Sequence, residues 1–430
     1  LSLREAARSV FDAALRAADV RPLVRRALAG LHLAARGRVL VVGAGKASGA
    51  MAAAAEDVLG ERIADGLVAV KDGYLADTTR VRLVEAGHPV PDARGEAAAR
   101  QIRALAESAG ADDMLLVLVS GGGSALTPAP VPPITLADKQ VMTRLMLAAG
   151  ANINQLNAVR KHCSRLKGGQ LARAAAPARV HALLLSDVIG DPLDVIASGP
   201  CAPDASTFAD ALAILDRFEL RSRAPTSIVE RLERGARGEI PETPKPEDPV
   251  FRGVTNTVIG NNLLVVEAAA AQARALGYAP HVLTRALEGE ARDVARTLVG
   301  LAREIQAGRG PVAPAACLIA GGETTVTVRG AGSGGRGQEW ALAAALELDG
   351  VDGIVALAAG TDGTDGPTDA AGAVADGATV KRARERGDDP RARLAQNDSN
   401  PVFAALGDLV VTGPTNTNLL DLYLLLIEGR

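Results

Sequence analysis

Aromatic residues are scarce in this chain, with one Trp, three Tyr and five Phe in 430 residues. That excludes the stacking platforms needed for single-stranded nucleic acid and leaves Ala, Leu and Val to fill the core. Cysteine is equally sparse. Cys163, Cys201 and Cys317 are far apart, odd in number and free of any CxxC or Cys/His metal spacing. This excludes a disulfide scaffold and points to a reducing compartment. No excess of either charge exists, the net value being −3, which argues against the basic face of a nucleic-acid binder. Long apolar runs are missing too, since Val180–Leu185 and Leu419–Ile427 are too short to cross a bilayer. The amphipathic start has no basic segment ahead of an apolar core, so it does not read as a secretory signal. These absences predict a cytoplasmic protein with neither a nucleic-acid nor a membrane partner. Starting at Leu1, the chain is expected to lack an initiator Met or a few residues. Lysine is rare as well, at seven of 47 basic residues. The bias suits codon composition, but it draws attention to Lys46, Lys161 and Lys167, each in a motif-rich segment.

What the chain does have is length for two or three domains, 48% hydrophobic residues and five glycine-rich turns, each directly after an apolar run. These are VLVVGAGKASG (Val39–Gly49), LLVLVSGGGSA (Leu115–Ala125), LLLSDVIGDP (Leu183–Pro192), CLIAGGETTV (Cys317–Val326) and IVALAAGTDGTDG (Ile354–Gly366). A buried strand ending in Gly, Ser and Asp places backbone-rich turns along one sheet edge, and the carboxyl edge of an open α/β sheet is where ligands bind. Strands alternate with helical periods from Arg38 to Arg234, as parallel βαβ units do. Gly235–Pro249, rich in proline and charge, reads as a linker. Beyond it, closer spacing, including Ala316–Ala320 and Thr324–Val328 as a hairpin or a turned strand, predicts a mixed sheet. The expected fold is α/β in two domains: residues 1–240 and 250–430, with 235–249 between them.

Each motif suggests a task. In GAGKASG, glycines after a strand allow close approach, and the following helix start offers N–H groups to an anion, with Lys46 beside them. It is neither a Walker A loop, since Leu40 stands where a Gly is required, nor a dinucleotide fingerprint, since Ser48 replaces the third Gly. Gly43, Gly45 and the run Ser120, Gly121, Gly122, Gly123 and Ser124 are candidate phosphate or oxyanion cradles. Asp187 and Asp191 lie four residues apart after a strand and suit Mg²⁺, or one of them suits a general base; Asp194 fits equally well as turn chemistry. Thr361, Asp362, Asp365 and Asp369 crowd the most acidic loop, which lacks EF-hand spacing. Arg336 sits at a glycine-flanked helix entry. Arg160, Lys161, Arg165 and Lys167 share one helical stretch that a solvated basic face would explain as well. His88 and His162 lack the partners of a metal site, and no GxSxG elbow is present.

Taken as a set, GAGKASGAM, EAGHPVPD, VLVSGGGSAL, INQLNAVRKHCSRLKGGQLA, LLLSDVIGDPLDVIASGP, AGGETTV, GRGQEWALA, GTDGTDGPTDAAGA and TGPTNTN resemble the glycerate 2-kinase family, the MOFRL group, whose members have often been labelled hydroxypyruvate reductases. The resemblance runs the length of the chain in the family's order. It implies phosphorylation of D-glycerate to 2-phosphoglycerate with ATP and Mg²⁺. It also implies an N-terminal Rossmann-like three-layer domain with a mainly parallel sheet, a C-terminal α/β domain with a mixed sheet, and an active site in the cleft between them. By the same analogy Lys46 and Arg336 are catalytic. Asp187 or Asp362 would serve the 2-hydroxyl, Asp187 or Asp191 would hold Mg²⁺, and Arg160 and the SGGGS turn would bind substrate or phosphate. A homodimer is compatible with the sequence. NAD(P)H-dependent hydroxypyruvate reduction, with Asp72 on the ribose, is the alternative. A sugar-acid-binding regulator is the third reading.

Overall fold

A computed structural model describes residues 1–429 except 32, 35 and 36. Two units emerge: Val20–Ile259, and Leu1–Asp19 joined with Gly260–Arg430.

The first helix, α1 (Leu3–Ala17), belongs to the C-terminal unit, whereas the sequence reading kept residues 1–240 together. Its buried stripe of Ala6, Ala7, Val10, Phe11 and Ala14 needs an apolar partner. Arg4 fixes it there, with Nε 2.5 Å from Asp376 and Nη1 2.8 Å from Asp408. A stripe shows that a helix packs, not on which neighbour.

The N-terminal unit runs α2 (Val20–Leu28), β1 (Val39–Ala44), α3 (Ser48–Leu59), β2 (Ile63–Lys71), β3 (Val81–Ala86), α4 (Ala93–Glu107), β4 (Met114–Val119), α5 (Gly123–Leu126), α6 (Leu136–Ala148), α7 (Ile153–His162), α8 (Gln170–Ala175), β5 (Arg179–Leu185), α9 (Phe208–Arg217), α10 (Thr226–Ala236) and β6 (Val254–Gly260). The sheet order is β3-β2-β1-β4-β5-β6. Every residue of β1 and β4 is buried, as expected where helices cover both faces of a parallel sheet. Strand order reverses between β1 and β4, so their carboxyl ends flank the crevice where such sheets bind ligands. Capping sets the helix starts. Thr135 Oγ accepts from Asp138 N at 3.1 Å while the Asp138 carboxylate accepts from Thr135 N at 2.9 Å.

The segment expected as a linker is bonded into this unit. Thr243 is buried and donates to Asp204 at 2.9 Å, and Glu242 accepts the Phe208 N–H at 3.0 Å. Pro244 is buried there, and the division between units falls at the end of β6, between Ile259 and Gly260.

The C-terminal unit continues with α11 (Asn262–Ala275), β7 (Ala279–Leu287), α12 (Ala291–Gln306), β8 (Ala316–Gly322), α13 (Arg336–Glu347), β9 (Ile354–Gly360), β10 (Gly372–Asp376), α14 (Thr379–Glu385), α15 (Pro390–Ala395), α16 (Ser399–Leu406), β11 (Leu409–Val410) and β12 (Asp421–Ile427). Its sheet is mixed, in the order β11-β10-β9-β12-β8-β7. The chain runs β7 parallel to β8, while β12 lies antiparallel to both β8 and β9. The hairpin, one of two forms expected over 316–328, is absent: beyond β8, only Thr325 makes a bridge, parallel to Glu290. Leu424 and Ile319 are paired across two strands a hundred residues apart, and that pairing occupies the edge a local hairpin would have used. The core holds Trp340 edge-on to Tyr423, with ring centroids 5.4 Å apart.

Candidate active site

The crevice between β1 and β4 is built by two turns that hold each other. Gly45 has φ +149°, and a methyl group there would meet Ser120 Oγ at 2.0 Å. That space is filled instead by the Ser120 hydroxyl, which accepts the Ala47 N–H at 2.9 Å and lies 3.1 Å from Ser48 Oγ. Lys46 N donates to Gly121 O at 2.9 Å. Ser120 and Gly121 therefore brace the GAGKASG turn from within, and two N–H groups expected to face an anion are already bonded to protein.

Gly122, at φ +87°, is where the loops converge. A methyl group on it would stand 3.0 Å from the His88 ring and 3.7 Å from the Lys46 side chain. Beside it opens a pocket of about 420 Å³ lined by Gly122, Ser124, Lys139, Arg144, Arg160 and Lys167, among others. The Lys167 ammonium donates to Ser124 O at 2.7 Å, and Ser124 Oγ lies 2.9 Å from Ser198 Oγ. Ser198 has φ +63° and donates to Asn157 at 2.9 Å. A non-glycine residue held left-handed is a strained feature of the kind found at ligand sites.

The pocket collects positive charge, and no carboxylate is among its lining residues. Burial, then repulsion from Lys139 and Arg160, pushes Lys167 well below the usual lysine range. Burial brings Lys139 down to about 8 and lowers Arg160 as well. Among the described residues no carboxylate forms an ion pair with Lys139, Arg160 or Lys167. Burying like charges together is costly unless an anion joins them.

The neighbouring basic residue behaves differently. Buried Lys161 pairs with Asp194 at 3.1 Å and Asp204 at 3.3 Å, so Asp194 has a structural partner. Asp187, half-buried, follows β5 at the same sheet edge, and Asp191 has φ +55° in the next turn.

In the C-terminal unit Arg336 opens α13 and is clasped by acids. Its Nε and Nη2 donate to Asp421 at 2.5 and 3.0 Å, and Nη1 donates to Glu323. Burial opposes the charge, but Asp421 and Glu323 outweigh it and hold the guanidinium above its ordinary range. Tyr423 donates to Asp421 at 3.1 Å. Asp365 anchors the helix start, accepting from Gly337 N at 3.0 Å and Gln338 N at 2.8 Å. Burial carries its carboxyl up to about 6, the nearby Asp421 adds to this, and the N–H donors offset it only in part. Thr361 is buried, donating to Leu420 O at 2.8 Å and accepting from Leu419 N at 2.7 Å, so it tethers the loop before β12. Asp362 accepts from Thr364 N at 3.1 Å. It also lies near Asp421, since a methyl group on Gly360 would be 3.3 Å from one and 3.2 Å from the other.

Comparison with known proteins adds to this geometry. A domain of unknown function, DUF4147, matches residues 6–233, and the MOFRL family matches residues 316–421. The chain is 40% identical to D-glycerate 2-kinase of Thermotoga maritima, over 91% of each protein. It is also 40% identical to glycerate kinase of Homo sapiens, over all of this chain and 94% of the relative. An Agrobacterium vitis protein provisionally named a hydroxypyruvate reductase is 42% identical over 99% of this chain and 95% of that one. The crystal structure of Thermotoga maritima glycerate kinase matches with a TM-score of 0.90 at 40% identity, over 99% of both chains. The chain belongs to the glycerate 2-kinase family.

In this family member, Lys46, Gly122, Ser124 and Arg160 gather in the N-terminal unit around or beside the pocket, while Gly45, Ser120, Gly121 and Thr361 hold turns in shape. Gly43 lies within β1, where a methyl group would meet Leu118 O of β4 at 2.1 Å. Gly123 packs against β1, where a methyl group would stand 2.6 Å from Ala44 O. Asp72, the ribose ligand of the reductase alternative, is instead held by Arg94 at 2.6 and 2.9 Å. Sequence reasoning missed Lys139, Glu323 and Asp421. Lys139 had a visible signal, because Lys139, Met142 and Met146 form the buried stripe of α6 and a lysine on such a stripe is an anomaly. Asp421 heads the apolar run of β12 and showed no comparable mark.

Proposed function

We propose that this enzyme transfers the terminal phosphoryl group of ATP to the 2-hydroxyl of D-glycerate, giving 2-phosphoglycerate and ADP. The observation that carries the reading is the cluster of Lys139, Arg160 and Lys167 beside Gly122, none of which makes an ion pair with a described carboxylate, in a chain 40% identical to glycerate kinases. Phosphoryl transfer asks chiefly for positioning and charge neutralisation, and a preassembled cationic pocket supplies both. Lys46, beside Gly122, would neutralise the moving group. Arg336, kept charged and oriented by Asp421 and Glu323, would do so from the C-terminal unit. The reading requires both residues to act in one reaction. Asp187 or Asp362 would take the hydroxyl proton.

No group of three or more His, Cys, Asp or Glu able to hold a metal occurs among the described residues. That suits Mg²⁺, which uses one or two carboxylates and completes its shell with water and phosphate. Asp187 and Asp191 would hold it at the β5 edge, where it would shield phosphate charge.

The test is a pair of assays. Purified protein with ATP and Mg²⁺ should release ADP only when D-glycerate is added, and EDTA should abolish the release. NADH oxidation by hydroxypyruvate, without glycerate-dependent ADP release, would replace this reading with the reductase. Stabilisation by glycerate with neither turnover would replace it with a binder.

A further inference from the structure

The kinase reading leaves open which anion enters the cationic pocket. We propose that it takes the phosphate chain of the nucleotide, with the nucleoside against the apolar lining, and that glycerate binds outside it. This assignment rests on the kinase reading for the identity of the donor.

Charge is the first argument. Lys139, Arg144, Arg160 and Lys167 line one pocket. A glycerate carboxylate carries one negative charge and would leave buried cations opposed; a phosphate chain carries several and matches them. Size is the second. A pocket of about 420 Å³ lies in the range that drug-sized ligands fill, and a three-carbon acid would leave most of it to water. The lining is the third. Pro91, Pro128 and Leu147 give the pocket apolar lining, and Leu147 is 58% exposed. A hydroxy acid gains little from such a surface, whereas a nucleobase can cover it. The buried end supplies the fourth argument. Lys139 is buried yet makes no ion pair with any described residue, and Gly122 and Ser124 line the same cavity. The exposed apolar mouth and the charged floor thus give a direction, base outward and phosphates inward.

Lys139→Gln and Arg160→Gln separate the two anions. Each variant is checked for native circular dichroism and melting, then titrated calorimetrically with ADP, with tripolyphosphate and with D-glycerate, and assayed for both Michaelis constants. Losing one charge-assisted contact should weaken ADP and tripolyphosphate binding and raise KM for ATP about tenfold. KM for glycerate should stay within about twofold of wild type. ADP should outbind tripolyphosphate because only ADP covers the apolar lining, and Leu147→Ser should narrow that difference. A rise confined to KM for glycerate, or no change in either constant, overturns the assignment. Should a buried variant misfold, Arg144→Ala on the exposed rim carries the test, with a several-fold rise in KM for ATP expected. The two readings fail separately. Lys139-dependent ADP binding without glycerate-dependent turnover would keep the pocket assignment and remove the kinase. Glycerate-dependent turnover with unchanged nucleotide constants in the variants would keep the kinase and remove the assignment.

Discussion

The Ser120 hydroxyl at the end of β4 accepts the backbone N–H of Ala47, beyond the end of β1, at 2.9 Å. Two separate glycine-rich turns are thereby locked at the one place where the N-terminal sheet reverses its order. Ser120→Ala should leave that buried N–H unsatisfied, at a cost of about 1–3 kcal/mol. Because the same turn carries Lys46, kcat should fall as well. Urea denaturation with parallel kinetics checks both, and unchanged stability would show that the contact does not hold the turns.

Burial of the Lys139 ammonium comes at the expense of stability. Its folded pKa, about 8, lies below the unfolded value near 10.5, so folding penalises the proton. The penalty is full below pH 8 and fades as pH rises from 8 toward 10, amounting to about 3 kcal/mol at most. Lys139→Met should therefore melt several degrees higher at pH 7 while binding ADP more weakly. Scanning calorimetry should show the gain shrinking toward pH 10.

The same lysine should impose a pH dependence on nucleotide binding. It faces Arg160, Cys163 and Glu96, and it is coupled to Lys167. Above pH 8 the neutral amine stops attracting phosphate, so ADP affinity should fall between pH 7 and 9. Lys139→Arg should flatten that fall, because guanidinium stays charged. Calorimetric titration across the range decides the matter, and a parallel decline in the arginine variant would assign it to another group.

Arg336 and Asp421 allow stability and catalysis to be separated. Arg336→Ala leaves Asp421, only 3% exposed, without its cation, which should cost a few kcal/mol. It should also lower kcat on the order of 10³-fold, as loss of a transition-state cation does. Adding Asp421→Asn should restore much of the stability and none of the rate. Recovery of turnover in the double variant would reduce Arg336 to a structural role.

Much of this was legible in the chain. An apolar run ending in Gly and Ser has few places to go other than a buried parallel strand and its carboxyl-edge turn, so β1, β4 and β5 and their loops followed from pattern. The carboxylates that clasp Arg336 were not legible, because Asp421 lies 85 residues from it along the chain.

Sequence alone determined most element types, the glycine-rich turns at the strand ends and the family, since these depend on periodicity, turn chemistry and local motif. Only the tertiary structure decided that α1 packs with the C-terminal unit, that Glu242 and Thr243 are bonded into the N-terminal unit, and that Ser120 braces the turns while Lys139 is buried without an ion pair to any described residue. Those outcomes turn on which distant surfaces and charges meet, and a contact between remote residues leaves no mark in the spacing of either.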